Sequence, residues 1–380
     1  MRLYTVVLIF IFQTISYSAE KADKRGMWVV RYAMKDKYHI NKIIDTAVNS
    51  NITDLYVQVR ALGQTYYHSE KERPSDLFQP DIDPLQFIIL KAKQHNIRIH
   101  AWINMFYIWS GNDLPKDTSH CYYLLSKHIL RFNQESIYTE LKKQGIEGYF
   151  LDPTASETQK YLLEIISEIV KKYEISGIHL DYFRYPNVRY SFTPANRTEY
   201  RIRNFIDPIA IYTESEKYAD EKNIPFFRVA DKNYRSYLID KLNNYLSEIY
   251  TMVKYINPTC EISVAVKPDP VIAKYRYFQN WQYWLENNYC DYVLLMNYRT
   301  DLNEFSMILE QDVVTNLKSK IIVGISTYNQ NENAVLERIK KTQSANYAGF
   351  TLFSYNHLAD NRKYFNRLLL SNFSGEKNGL

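Results

Sequence analysis

The chain has 380 residues, 46% hydrophobic and 23% charged, with a net charge of +5. This is an ordinary globular composition with enough apolar residues for a large core. So small a charge over this length gives no case for nucleic acid, and three distant cysteines, Cys121, Cys260 and Cys290, exclude a disulfide framework.

In chain order, the N-terminus reads as a secretory leader. Arg2 is its positive flank, Val6 to Phe12 its apolar run, and Ser16-Tyr17-Ser18 a small-x-small cleavage pattern. The run is too short to span a bilayer. The expectation is a leader over residues 1–18, no stable membrane span after its cleavage, and a secreted or periplasmic protein. An anchor retained without cleavage is the alternative. Residues 19–380 then read as one domain.

From residue 25 a strand-then-helix rhythm sets in. Strands are expected at Met27 to Tyr32, Thr53 to Val59, Ile97 to Ile103, Gly177 to Asp181, Glu261 to Val266, Tyr292 to Met296, Ile321 to Ile325 and Gly349 to Phe353. Between them lie helices near Tyr38 to Ser50, Pro84 to His95, Ser156 to Tyr173, Tyr234 to Tyr255, Trp281 to Asn287, Phe305 to Leu317 and Glu332 to Thr342, with a last one at Asn361 to Leu370. Eight alternations over about 350 residues predict an α/β protein, a (β/α)8 TIM barrel with long loop insertions at its C-terminal face. The runner-up is a doubly wound open sheet, which no Gly-x-Gly-x-x-Gly or Walker pattern supports. Almost fifty irregular residues after Pro186 read as a functional loop or subdomain, and Arg189, Tyr190 and Arg201 within Asn187 to Asp231 suit one wall of a cleft beside Asp181.

In such a barrel the strand ends converge on one site. Along a strand, side chains alternate, so His179 and Asp181 share one face, as do His100, Trp102 and Asn104. The expected ligand contacts are Gln58, Arg60, His100, Trp102, Asn104, His179, Arg184, Tyr185, Lys267, Asn297, Tyr298, Tyr328 and Tyr355. Turn propensity alone favours Gly, Asn, Asp, Pro and Ser, not this mixture of Arg, Tyr, His and Gln. Interior histidines with their own partners are the bland alternative for His100 and His179, and helix or turn capping is the alternative for Asp181. No Cys or His cluster has metal-ligand spacing, so neither metal nor cofactor is expected.

These segments carry a resemblance. Arg25-Gly26-Met27-Trp28, Gln58-Val59-Arg60, His100-Ala101-Trp102-Ile103-Asn104, Gly177 to Pro186, Ser263 to Pro270, Asp291 to Tyr298 and Phe353-Ser354-Tyr355 resemble, in order, the motifs of glycosyl-hydrolase-like family ten. The resemblance implies a TIM barrel of secreted or periplasmic proteins acting on polysaccharide. Characterised relatives are thought to cleave peptidoglycan glycan strands stripped of their peptides. Many members have two adjacent Asp where this chain has Asp181-Tyr182, and Lys267 stands where related barrel glycosidases have a carboxylate.

Glycoside hydrolysis normally uses two carboxyl groups, one protonated and one ionised. Asp181 is expected to be the ionised one, because Arg184 lies nearby. Asp269 and then Asp301 are the candidates for the acid; Asp152 reads rather as a helix cap. The function expected is a glycoside hydrolase acting on peptidoglycan-type glycan strands. A non-catalytic glycan-binding barrel is the alternative, since a barrel alone does not imply catalysis.

Overall fold

The computed structural model describes residues 24–77, 81–131, 138–213, 224–311 and 316–361. The expected leader and, beyond Asn361, the expected last helix lie outside these residues. Eight apolar runs form the strands β1 (Lys24–Val29), β2 (Asp54–Ala61), β3 (Arg98–Asn104), β4 (Gly177–Asp181), β5 (Glu261–Val266), β6 (Tyr292–Met296), β7 (Ile321–Ser326) and β8 (Gly349–Phe353). All are parallel and paired in order, and β8 pairs back onto β1, which closes the barrel. Both faces of each strand are covered, which is why the runs read as nearly continuous apolar segments.

The outer layer follows from helical spacing. In the helix Ser156–Lys172, Leu162, Ile165, Ile166, Ile169 and Val170 fall on one stripe and are all buried. Each such side chain contributes about 1.5–3 kcal/mol of transfer free energy. The helix expected from Tyr234 starts at Ile224 instead. Pro225 does not stop it, because proline lacks only an N–H that the first turn leaves unpaired in any case. No helix among the described residues is long and apolar enough to cross a membrane. The three cysteines are buried and free.

The irregular stretch after Pro186 folds as a helical annex. Helices Pro194–Asn204 and Ala210–Thr213 pack on Ile224–Ile256 through Tyr234, whose ring stacks on Phe192 at 5.6 Å and meets Tyr200 edge-on at 5.0 Å. Asp152 anchors this annex to the barrel, accepting a 2.6 Å hydrogen bond from Thr193 Oγ1.

Inside the barrel, the N-terminal end is closed by charge. Asp54, on the inner face of β2, accepts from Arg98 and from His100 Nε2, both at 2.8 Å, while Lys24 reaches Glu261 at 2.9 Å. Asp54, His100 and Glu261 have the donor atoms of a small metal site. However, Lys24 and Arg98 already neutralise both carboxylates there. Burial pushes the Asp54 carboxyl up, yet the hydrogen bond to His100 and the charges of His100, Arg98 and Lys24 outweigh it and hold Asp54 well below the usual carboxylate range. A depressed carboxyl contributes stability above its unfolded value of about 3.9, and that stability is lost as pH falls below it. Replacing Asp54 with Asn is therefore expected to flatten the acid limb of stability between about pH 5 and pH 2, measured by urea unfolding. An unchanged acid limb would mean that other carboxyls set it.

Candidate active site at the C-terminal ends of the strands

β4 delivers Asp181 to the C-terminal mouth of the barrel, level with Asn104 on β3. Gly177 lets the strand enter the crowded floor: a Cβ there would lie 2.5 Å from His100 Nδ1. Tyr182 then takes a left-handed φ of 52°, a conformation with a cost for a bulky residue. It turns the ring back to stack on Tyr107, with centroids 4.6 Å apart. Asp181 accepts from the Tyr182 N–H at 2.7 Å and from Trp102 Nε1 at 3.1 Å. The first contact is the turn-forming bond that the capping alternative predicts. The second is directed by β3 and ties the carboxyl to the cavity wall.

That cavity has a volume of about 410 Å³. Trp28, Trp102, Tyr107, Tyr182, Tyr298 and Phe353 give it aromatic walls around Asp181. Tyr298 stacks on Phe353 at 5.5 Å, and Trp28 meets both edge-on. One wall is polar. Arg31 Nη1 donates to Gln58 Oε1 at 2.9 Å, and Gln58 Nε2 to Asn104 Oδ1 at 3.3 Å. Rings and a few directed donors around one carboxyl make a site suited to pyranose faces and hydroxyls.

Electrostatics pull against the expected ionised state of Asp181. Burial among these rings pushes its carboxyl above the usual value, against the Tyr182 N–H, Arg184, Trp102 and Lys267, which all favour the charged form. The Arg184 charge is largely spent elsewhere. Its Nη2 donates to Glu147 Oε1 at 2.6 Å and, against the cost of burial, holds that carboxyl below its ordinary value. Two carboxyls next to one guanidinium are thus pushed in opposite directions.

Of the expected contacts, Gln58, Trp102, Asn104, Asp181 and Tyr298 line the cavity. Tyr328 sits at its rim, 53% exposed, with its ring edge-on to Tyr298 and Phe353. The others depart from expectation. Arg60 is fully buried in a two-pronged ion pair with Glu72. His100 belongs to the floor, between Asp54 and the Tyr292 hydroxyl. His179 lies one layer below Asp181; its Nε2 accepts from Trp28 Nε1 at 3.1 Å, so the proton is on Nδ1, which donates to Ser263 Oγ at 3.0 Å. Burial and the neighbouring His100 push its pKa well down, so this ring is neutral. Tyr185 and Asn297 are fully buried, Asn297 donating to the Phe305 carbonyl. Tyr355 is buried at the start of the helix Tyr355–Asp360. Arg184 is buried behind Tyr182, and Lys267 stands half-buried beside it.

The two expected acids are helix caps. Asp269 accepts from the N–H groups of Val271 and Ile272, and Asp301 from Glu304. Asp152 is fully buried beneath the annex and accepts from Thr154 and Thr193. Among the described residues of the segment Asn187 to Asp231, none lines this cavity. The residues that sequence reasoning passed over are Trp28, Tyr107, Tyr182, Phe353 and Glu147. Trp28 has a legible signal, since it faces inward on β1 two residues before Val30, which also lines the cavity.

Comparison with known proteins adds to this geometry. The family described as glycosyl hydrolase-like 10 matches residues 23–344. "Glycosyl hydrolase DigH" of Escherichia coli K12 is 27% identical over 167 residues, 41% of this chain and 35% of that protein. "Glycosyl hydrolase YngK" of Bacillus subtilis 168 is 25% identical over 171 residues, 43% of this chain and 30% of that protein. The matched stretch thus spans about a third of the length of these curated relatives. Among solved structures, the PgaB (BpsB) glycoside hydrolase domain of Bordetella bronchiseptica superposes with a TM-score of 0.64 at 13% identity, covering 91% of this chain and 98% of that one. A likeness at that identity speaks for the barrel alone.

Proposed function

The chain belongs to the glycosyl hydrolase-like 10 family, and from that premise we propose that it is a glycoside hydrolase cleaving peptidoglycan-type glycan strands, with Asp181 as its general acid. One observation carries the reading: among the described residues a single carboxyl stands against the wall of an aromatic cavity at the C-terminal strand ends, and burial favours its protonated form. A neutral carboxyl there can hand its proton to a glycosidic oxygen seated between the rings. Arg184 keeps the Glu147 carboxyl behind Tyr182 charged, and Glu147 is not among the residues that line the cavity. Trp28, Tyr298 and Phe353 offer faces for sugar rings, while Gln58 and Asn104 offer amides to hydroxyl and acetamido groups. The reading also puts the protein outside the cytoplasm, where the leader expectation would send it.

The test is incubation with purified glycan strands freed of peptide, with peptide-bearing strands and N-acetylglucosamine oligomers in parallel. Release of soluble oligosaccharides supports the reading. Retention on insoluble strands without any release would instead support the non-catalytic barrel.

A further inference from the structure

Behind the Tyr182 wall lies a group of cations that the acid chemistry does not use. Arg184 is 3% exposed, and its guanidinium lies 5.0 Å from the ring centres of both Tyr182 and Tyr277. Its Nη2 is taken by Glu147, but its Nη1 is buried without a hydrogen-bond partner. Lys267, at the tip of the neighbouring strand β5, puts its ammonium 5.0 Å from the same Tyr277 ring. Among the described residues that ammonium makes no hydrogen bond or ion pair. Arg276 covers the ring as well, at 5.4 Å.

The facing charges can be enumerated. β4 and the turn after it bring Asp181 and Arg184, the segment before Tyr149 brings Glu147, and the helix Pro270–Tyr277 brings Arg276. When Asp181 carries its proton, three cations face one carboxylate. Burial and the Arg184 charge push the Lys267 ammonium down to about 8, although Glu147 and Asp181 oppose them. An ammonium crowded by like charges and without an ion pair is relieved by one incoming anion, which the buried Arg184 charge also attracts.

We propose that Lys267, supported by Arg184, forms a subsite for a carboxylate carried on the sugar chain beside the bond that Asp181 protonates. This rests on the glycosidase reading of the cavity and names what the enzyme selects: an acidic glycan over a neutral one. Lys267 makes the contact from its half-buried position, and Arg184 supplies charge from behind. A neutral chain leaves the Lys267 ammonium unpaired, which is how a built polar site rejects an analogue lacking its group.

The experiment measures binding by the full chain carrying Asp181→Asn, so that no probe is consumed. The probes are oligomers alternating N-acetylglucosamine and N-acetylmuramic acid with free lactyl carboxyls, the same oligomers after reduction of those carboxyls to alcohols, and hyaluronan oligomers carrying uronic acids. The acidic muramyl oligomer is expected to bind about tenfold tighter than its reduced form, the size of one charge-assisted hydrogen bond. Adding Lys267→Met should bring that ratio to about one, whereas Lys267→Arg should keep it. In the lysine protein the preference should fade as pH rises through about 8, and in the Lys267→Arg protein it should not. A preference for muramyl or for uronic acid oligomers identifies the source of the carboxylate, and either supports the subsite. Equal binding of acidic and reduced oligomers, binding of no probe, or equal proportional losses of both forms in Lys267→Met would overturn it. Turnover by the Asp181 protein is scored separately. Acid preference without cleavage of any glycan sinks the hydrolase reading and leaves the subsite standing.

Discussion

Replacing Asp181 with Asn is expected to lower turnover of a natural glycan by about 1,000-fold or more, within the range that a positioned acid contributes. The side chain keeps its shape and still accepts one of its two hydrogen bonds, from Tyr182 or from Trp102. The fold should therefore survive, with a cost of about 1–3 kcal/mol for the N–H left facing an amide. The informative comparison is leaving-group ability. An aryl glycoside with an acidic phenol departs without protonation, so the variant should retain far more of its activity on such a substrate than on a natural glycan. If instead both substrates suffer equally, Asp181 is the nucleophile or base, and the ionised assignment drawn from Arg184 is restored. The pH profile gives a second reading. A carboxyl whose pKa burial has raised supports acid catalysis below that value and loses its proton above it. The wild-type rate should fall on the alkaline side, and that limb should vanish from the residual activity of the variant.

The barrel was legible because its strands obey simple rules. Each is an apolar run of five to eight residues separated from the next by a helical period, the pattern of a parallel sheet covered on both faces, and eight such units are the number of a barrel. Parity also gave the inward faces of β3 and β4, hence Trp102, Asn104 and Asp181, while Gln58 was read from its place at a strand end. Depth was not legible. His100 and Trp102 share a face, yet two residues along a strand tilted by about 36° are roughly 5 Å of barrel height, enough to separate a floor residue from a cavity residue. Arg60 failed for a different reason. The pairing of β2 with β3 slips between Gln58 and Arg60, which breaks the alternation and sends Arg60 out of the barrel toward Glu72. Asp269 and Asp301 read as strand-tip acids because a cap and a catalytic residue occupy the same kind of position, just before a helix. Glu147 was out of reach altogether. It lies on a connection far from any barrel strand in sequence, and only the folded chain brings it to Arg184.

The largest effect expected on stability comes from that same Arg60. Its guanidinium is fully buried and meets Glu72 through two hydrogen bonds of 2.7 Å, while Nη1 donates to the carbonyls of Asn104 and Met105. Tyr161 gives Glu72 a further bond, also of 2.7 Å. Burying both ions costs about as much as their attraction returns, so the pair as a whole adds little. Removing one partner is different, because it strands a charge where water cannot reach it. Glu72→Ala is expected to cost about 3–5 kcal/mol in urea unfolding, and Arg60→Met a similar amount. The double variant Arg60→Met, Glu72→Met should lose much less than the sum, since no charge is then left unpaired. Additive losses would show that the two side chains act separately. The pair also reaches the site: Arg60 holds the carbonyl of Asn104, and Asn104 lines the cavity beside Asp181. Loss of Arg60 should therefore weaken glycan turnover even at temperatures where the barrel stays folded, because the end of β3 loses the bond that fixes its height against β4.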